Sequence, residues 1–326
     1  MRVGGEISDG GGVEQPLDLA GVSAVLGVCE ADVVLLGAAA LQGEVVTQQA
    51  GDCVLITGCY GFSFRASFTL PEDTSLVAYI HDTAPQSWCH GVGLEPGSVV
   101  TVLPEGDSEV LLVAGCRWTL MLLPAAMLRA EFAALSPDNP EPSAHRLRMF
   151  IAGHAGEARS LGDGYDALRS RLESGEPAGE LVAPLLRRHL AATLGATAED
   201  RPVSSRGRRA HYVTVRRVED FMRANLRRDI YIQELCNAAG ASERALRYAF
   251  DDLIGIPPNR YLSLLRLCAA YRSLMQADAS RRSVKSVALS CGMWDLSRFA
   301  EHYRHTFGEL PRATLVRSQQ GELAGH

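Results

Sequence analysis

Residues 284–315 read VKSVALSCGMWDLSRFAEHYRHTFGELPRATL. The spacing predicts a short helix ending at Gly292, a turn, and a second helix that Asp295 caps and that Gly308 and Pro311 terminate. Phe299 and Tyr303, four apart, fall on one face of that second helix. Residues 232–262, IQELCNAAGASERALRYAFDDLIGIPPNRYL, repeat the arrangement: a helix to Gly240, Ser242 as cap, then a helix bearing Leu246 and Phe250, stopped by Gly255 before Pro257 and Pro258. Cys236 and Gly240 lie 52 residues before Ala288 and Gly292, whereas Leu246, Phe250, Gly255 and Pro258 lie 53 before Phe299, Tyr303, Gly308 and Pro311. The second turn is therefore one residue longer. Each copy has the layout of a helix-turn-helix: a small residue on the first helix permits a close crossing, glycine supplies a positive φ, and apolar residues of the second helix set its angle.

Between the copies, residues 258–276 form an unbroken helical pattern, PNRYLSLLRLCAAYRSLMQ. At 1.5 Å per residue it is roughly 28 Å long, close to the ~34 Å between successive major-groove faces of B-DNA. One chain would thus present two recognition helices to one face of a duplex. Opposite Leu246 and Phe250 the first of them carries Glu243, Arg244, Arg247 and Tyr248; the second exposes Asp295, Ser297, Arg298, Glu301 and His302. Arginine is suited to this because its guanidinium bonds guanine O6 and N7 together.

Charge distribution agrees. The 326 residues are 47% hydrophobic and 21% charged, with a net charge of −6, which excludes a disordered chain and suggests two domains. Residues 1–204 hold 12 Arg and no Lys against 26 acidic residues, a net of −14; residues 205–318 hold 20 Lys plus Arg against 11 acids, a net of +9. A polyanionic partner belongs with the second segment. The first residues lack the apolar core of a secretory signal, and the apolar stretch Leu111–Leu128, broken by Arg117 and Pro124, reads as a buried strand followed by a helix. A cytoplasmic protein with no membrane association is expected. Its eight scattered cysteines (29, 53, 59, 89, 116, 236, 268 and 291) read as reduced, partly buried thiols, with no metal and no cofactor implied.

The segment from about Val213 to Ser318 resembles the DNA-binding domain of AraC/XylS-type bacterial transcription regulators, whose second motif ends in A-x3-G-F…F-G-x-x-P. Ala288, Gly292, Phe307, Gly308 and Pro311 match; Met293 stands where Phe is usual, and Tyr231 where the first motif often has a capping Ser. The resemblance implies sequence-specific binding to promoter DNA, most often as an activator that recruits RNA polymerase. Base-edge positions of the family correspond to Arg244, Arg247 and Tyr248 on the first recognition helix and to Ser297 and Glu301 on the second, where Arg298 is the cation best placed. Ser242, Arg260, Arg266, His302 and Arg312 are candidates for the DNA backbone. Trp294 in the second turn packs on the domain or against sugar-phosphate, and for a single aromatic core packing is the expected outcome.

The expected fold is α+β: an N-terminal cupin-like β-barrel or sandwich with flanking helices, then an all-α domain of two helix-turn-helix motifs joined by a long helix. From Gly43 to about Leu123, short alternating strands are punctuated by turns at Pro71–Asp73, Glu95–Gly97 and Pro104–Asp107. Helices are expected over 143–154, 164–173 and 178–194. The boundaries read as a disordered 1–16, an effector or dimerisation domain over 17–197, a linker over 198–209, the DNA-binding domain over 210–318 and a disordered tail over 319–326. Phe62, Phe64, Trp88 and Trp118 are candidates to line an effector pocket, with ordinary barrel core as the alternative. The stripe Leu181, Leu185, Leu186 and Leu190 packs on its own domain or pairs two subunits as a homodimer. Two further readings stay open, a cupin-type metal enzyme and a low-specificity architectural DNA binder. His81, Asp82 and His90 lack the compact H-x-H of metal-binding cupins, and no catalytic constellation is legible.

Overall fold

The computed structural model describes residues 13–14, 30–37, 43–104, 106–142, 149–151, 156–196, 205–276 and 282–323. The chain divides into two compact units. The first comprises residues 1–32, 42–61 and 66–203; the second comprises 204–326 together with 33–41 and 62–65.

Twelve strands form two sheets among the described residues. They are β1 (Val13–Glu14), β2 (Glu30–Leu35), β3 (Gly43–Ala50), β4 (Cys53–Tyr60), β5 (Phe64–Thr69), β6 (Thr74–Asp82), β7 (Trp88–Cys89), β8 (Val92–Gly93), β9 (Ser98–Val102), β10 (Asp107–Leu112), β11 (Arg117–Pro124) and β12 (Met149–Ile151). One sheet runs β1-β3-β4-β11-β6-β9-β12, the other β2-β5-β10-β7-β8. β11 lies between β4 and β6, antiparallel to both, with Met121 opposite Leu55 and Val77. It is buried on both faces from Trp118 to Leu123, which is why its sequence reads as a continuous apolar run instead of alternating.

Three helices cover one face of that sheet: α1 (Ala125–Leu135), α2 (Gly156–Ser174) and α3 (Val182–Gly195), the last preceded by a 3-10 turn at Gly179–Leu181. Successive strand residues point to opposite faces, so Leu55, Val77, Val99, Met121 and Leu123 meet Leu128 and Phe132 of α1, Leu161, Tyr165, Leu168 and Leu172 of α2, and the α3 stripe. In that stripe Leu185, Leu186 and Leu190 are at most 2% exposed, and Leu181 packs against the same cluster half-buried. The stripe is therefore part of its own unit's core and is not an open pairing surface, a correction to the dimer-helix reading of Leu181, Leu185, Leu186 and Leu190.

Other boundaries differ from expectation for local reasons. Met149–Ile151, expected inside a helix, forms β12 and satisfies the edge of β9 through Val100, Val99 and Ser98; a three-residue apolar run has no period by which helix and strand are distinguished. Val13–Glu14, placed by composition in a disordered N-terminus, pair with Thr47 and Val46 of β3. Residues 198–204 of the expected linker lie outside the described residues, and residues 206–209 already begin a helix. The tail expected from 319 is helical as far as Leu323.

Apart from its short pieces of β2 and β5, the second unit is helical: α4 (Arg206–Ala224), α5 (Ile232–Ala239), α6 (Glu243–Leu253), α7 (Pro258–Met275), α8 (Val284–Ser290), α9 (Leu296–Phe307) and α10 (Pro311–Leu323). Its interior holds a charge cluster. Glu219 of α4, 2% exposed, accepts from Arg65 Nη1 at 2.8 Å, Tyr261 Oη at 2.6 Å and Arg223 Nη2 at 2.7 Å. Arg65 breaks the alternation expected of FSFRASF, because it and Ala66 are as buried as Phe64 and Phe68. Removing one partner of such a pair typically costs about 3–5 kcal/mol, since the other charge stays buried.

A second polar network lies in the first unit. His189 of α3 is fully buried, its Nε2 2.8 Å from Thr101 Oγ1 and its Nδ1 2.7 Å from Tyr165 Oη. Burial pushes its pKa down to about 3, so the imidazole is neutral in the folded protein, whereas the unfolded chain protonates it near pH 6.5. Between those values the unfolded state binds more protons, and stability falls as pH falls. Denaturant titrations of the native protein from pH 7 to 5 are expected to lose about 2 kcal/mol through this residue. In His189→Gln the acid limb should be shallower by about that amount; an unchanged slope would show that His189 does not control it.

Candidate nucleic-acid interface

Each motif is assembled from local signals. In the first, α5 ends at Gly240, which adopts φ +65°, and Ser242 Oγ accepts the Ala245 N–H at 3.3 Å to start α6. Tyr231 takes the N-cap position of α5 without a serine, and Glu234 Oε2 accepts its N–H at 2.9 Å. In the second, Ser283 and Ser286 cap α8 reciprocally at 3.1 and 3.0 Å, and Asp295 Oδ1 accepts the N–H groups of Ser297 and Arg298, both at 3.1 Å. These are the caps that the sequence predicts for Ser242 and Asp295.

The recognition helices are anchored on one side. Leu246, Ala249, Phe250 and Leu253 of α6 are buried, as are Phe299, Tyr303 and Phe307 of α9. Phe250 meets Tyr261 edge-on, with ring centroids 5.8 Å apart, and Tyr271 of α7 lies 4.8 Å from the Phe307 ring. Tyr303 Oη is also held by Thr314 Oγ1 of α10 at 2.8 Å. α7 thus packs on both recognition helices.

Their other faces are open. Ser242, Arg244, Arg247 and Tyr248, and likewise Ser297, Arg298, Glu301 and His302, are exposed. Arg244 lies over the Tyr248 ring at 5.5 Å. Arg247 Nη2 bonds Glu243 Oε1 at 2.7 Å, and Arg298 Nε stands 3.5 Å from Asp295 Oδ2. Exposed pairs of this spacing contribute about 0.3–0.5 kcal/mol, less than the roughly 1–3 kcal/mol of a bidentate base contact. The guanidiniums can therefore exchange one partner for the other at small cost.

Two sequence expectations are corrected. Trp294, expected to pack on the domain, is 57% exposed in the turn before α9, because the core of that motif is already filled by Phe299, Tyr303 and Phe307. Arg266, a backbone candidate, is turned inward: its Nε donates to Leu226 O at 3.1 Å and its Nη2 to Arg228 O at 2.5 Å. Arg260 and Arg312 are exposed.

The effector-pocket candidates are all at most 4% exposed. Phe62 and Phe64 belong to the second unit, their rings 6.0 Å apart. Trp88 and Trp118 belong to the first, on β7 and β11; Trp118 packs 5.6 Å from Tyr60. Of the histidines weighed as metal ligands, His81 bonds Thr119 Oγ1 at 2.8 Å and Asp166 Oδ1 at 3.1 Å, while His90 sits in a turn at φ +50°. Among the described residues no three His, Cys, Asp or Glu side chains converge as a metal site. No described helix is long and apolar enough to cross a membrane.

Two helix-turn-helix motifs with solvent-facing second helices, joined by a shared central helix, define a DNA-binding domain. A family described as a helix-turn-helix domain matches residues 235–317. Among curated proteins, the XylDLEGF operon transcriptional activator 1 of Pseudomonas putida is 30% identical over 229 residues, 68% of this chain and 66% of that protein. The HTH-type transcriptional activator RhaR of Klebsiella pneumoniae is 32% identical over 96 residues, 29% of this chain and 33% of that protein. Among solved structures, a probable AraC family transcriptional regulator from Rhodopseudomonas palustris is 38% identical, covering 32% of this chain and 96% of its own, with a TM-score of 0.30. Through this C-terminal domain the chain belongs to the AraC/XylS-type family of transcription regulators. It spans about two thirds of the length of the first of those curated relatives.

Gly292 has φ +73°, and a Cβ there would collide with the Leu226 carbonyl oxygen and stand 3.1 Å from Arg266 Nε. Gly292→Ala is therefore expected to lower stability by at least about 1–3 kcal/mol. Gly240→Ala, where a Cβ meets nothing within 4 Å, should carry only the αL penalty of about 1–2 kcal/mol. Paired denaturation curves check the order; equal losses would remove the steric account of Gly292.

Proposed function

We propose that the protein is a sequence-specific transcription regulator, acting as an activator, that reads two successive major grooves with α6 and α9. The observation that carries this reading is the pair of exposed recognition faces, each with an arginine near its capped N-terminal end, which is the part of a recognition helix that reaches base edges. Arg244, Arg247 and Tyr248 read one half-site, and Ser297, Arg298 and Glu301 the other. Ser242, Arg260, His302 and Arg312 hold the backbone, and the exposed indole of Trp294 packs on a sugar-phosphate. Promoter DNA is the partner, and RNA polymerase follows as the protein an activator recruits; relatives are named as transcriptional activators.

The first unit is the regulatory one, controlled by a small-molecule effector or by subunit pairing. One feature supports an effector: Trp118 Nε1, buried in the first unit, has no hydrogen-bond partner among the described residues. A buried unmade donor costs about 1–3 kcal/mol, which an effector's carbonyl or carboxylate oxygen would recover. Binding would raise the melting temperature in a metabolite screen, because a ligand stabilises by RT ln(1 + [L]/Kd), and Trp118→Phe should weaken any hit that uses the indole.

Selection of binding sites from random duplexes tests the main claim. A two-part consensus with half-sites about one helical turn, ~10 base pairs, apart is expected; recovery of unselected sequence would favour the architectural reading instead. Against the selected site, Arg244→Ala should lose about 1–3 kcal/mol and relax preference at one base pair. Arg312→Ala should weaken every duplex alike and reduce the log–log salt slope by about one. If Arg244→Ala changes neither affinity nor preference, it leaves the base-reading set.

A further inference from the structure

The second unit contains a groove of about 800 Å³ at the seam between its two motifs. One wall is the end of α4 and the turn before α5, residues 223–228. The other is Arg282 with Ser286, Val287, Ser290 and Cys291 of α8, and Ala269 and Ser273 of α7 also line it. Among the described residues, four arginines line this space, Arg223, Arg227, Arg228 and Arg282, together with three serine hydroxyls and no carboxylate.

Two of the four are committed elsewhere. Arg223 is bound to Glu219 and Arg228 to Glu234 at 2.7 Å. Arg227 and Arg282 are exposed, and among the described residues no hydrogen bond or ion pair holds either. Arg227 lies in the turn leading into the first motif and Arg282 just before the first helix of the second, yet both line one groove. Guanidiniums facing a common space repel unless an anion lies between them, and the guanidinium fork matches phosphate oxygens. The hydroxyls of Ser273, Ser286 and Ser290 add donors suited to the remaining oxygens.

We propose that this groove is a phosphate-binding site whose ligand bridges Arg227 and Arg282 and so ties the first motif to the second. The phosphate comes either from a free phosphorylated metabolite or from the DNA backbone between the two half-sites. The second source rests on the DNA-binding reading above; the first does not. In either case the bound anion restrains the spacing and angle of α6 against α9, the quantity on which simultaneous reading of two grooves depends.

The test uses the full chain, an Arg227→Gln/Arg282→Gln double variant, and exposed Arg209→Gln as a control for loss of positive charge. Calorimetric titration with inorganic pyrophosphate at near-physiological salt is expected to give a dissociation constant below about 1 mM, weakened at least about tenfold in the double variant and unchanged in the control. That result assigns the site to a free phosphate. If pyrophosphate does not bind, the DNA source requires the double variant to reduce the log–log salt slope of DNA binding by about two, for specific and scrambled duplexes alike. A double variant that matches the native protein in both titrations overturns the proposal. Native protein that binds pyrophosphate but no duplex leaves the site standing and removes the DNA-binding reading instead.

Discussion

Gly292 meets the Leu226 carbonyl at the seam of the two motifs, and Arg266 ties down the same carbonyl. That joint has room for hydrogen and for nothing larger. Because the Arg266 guanidinium also takes Arg228 O, the turn leading into α5 and the turn leading into α9 are referred to one side chain on the connecting helix. A protein that reads two grooves must fix the distance and angle between two surfaces that never touch each other. Here that is achieved by backbone contact at the seam, supported by the packing of α7 on both recognition helices through Tyr261 and Tyr271. The groove beside the joint inherits its cationic character from the same arrangement, since closing the seam brings arginines flanking both motifs to one space.

Charge is used in two regimes within the second unit. Around Glu219 it is buried and closely paired: two arginines and a tyrosine converge on one carboxylate, and the low dielectric makes every partner costly to remove. On α6 and α9 it is exposed and held loosely by neighbours one turn away, Glu243 and Asp295. Water screens those pairs to a fraction of a kcal/mol, which leaves the guanidiniums available to a stronger acceptor. Residue type alone does not separate the regimes, because Arg65 and Arg244 are the same residue with opposite fates.

The legibility of this molecule in its sequence follows the range of the interactions involved. The duplicated motif, its one-residue offset, the caps at Ser242 and Asp295 and the glycine turns were readable because each is made within a few residues, where spacing carries the geometry. The β region was readable as strands, and β11 followed by α1 appeared as the broken apolar run 111–128. What escaped were features completed from elsewhere in the chain. Met149–Ile151 became a strand because β9 had an open edge. Trp294 stayed outside because other aromatics had filled the core. Arg266, indistinguishable by spacing from Arg260, was drawn inward by two orphan carbonyls.

By itself, then, the sequence determined that the chain carries two helix-turn-helix motifs on a basic C-terminal segment behind an acidic β domain, and which helix faces are polar. Capping, turn formation and amphipathic periodicity are local, and they survive translation into three dimensions. Only the tertiary structure decided which of the polar residues face solvent, that the α3 leucines close their own core, and that arginines flanking two motifs line one groove. Burial and convergence depend on partners distant in sequence, and no spacing rule within a single segment records them.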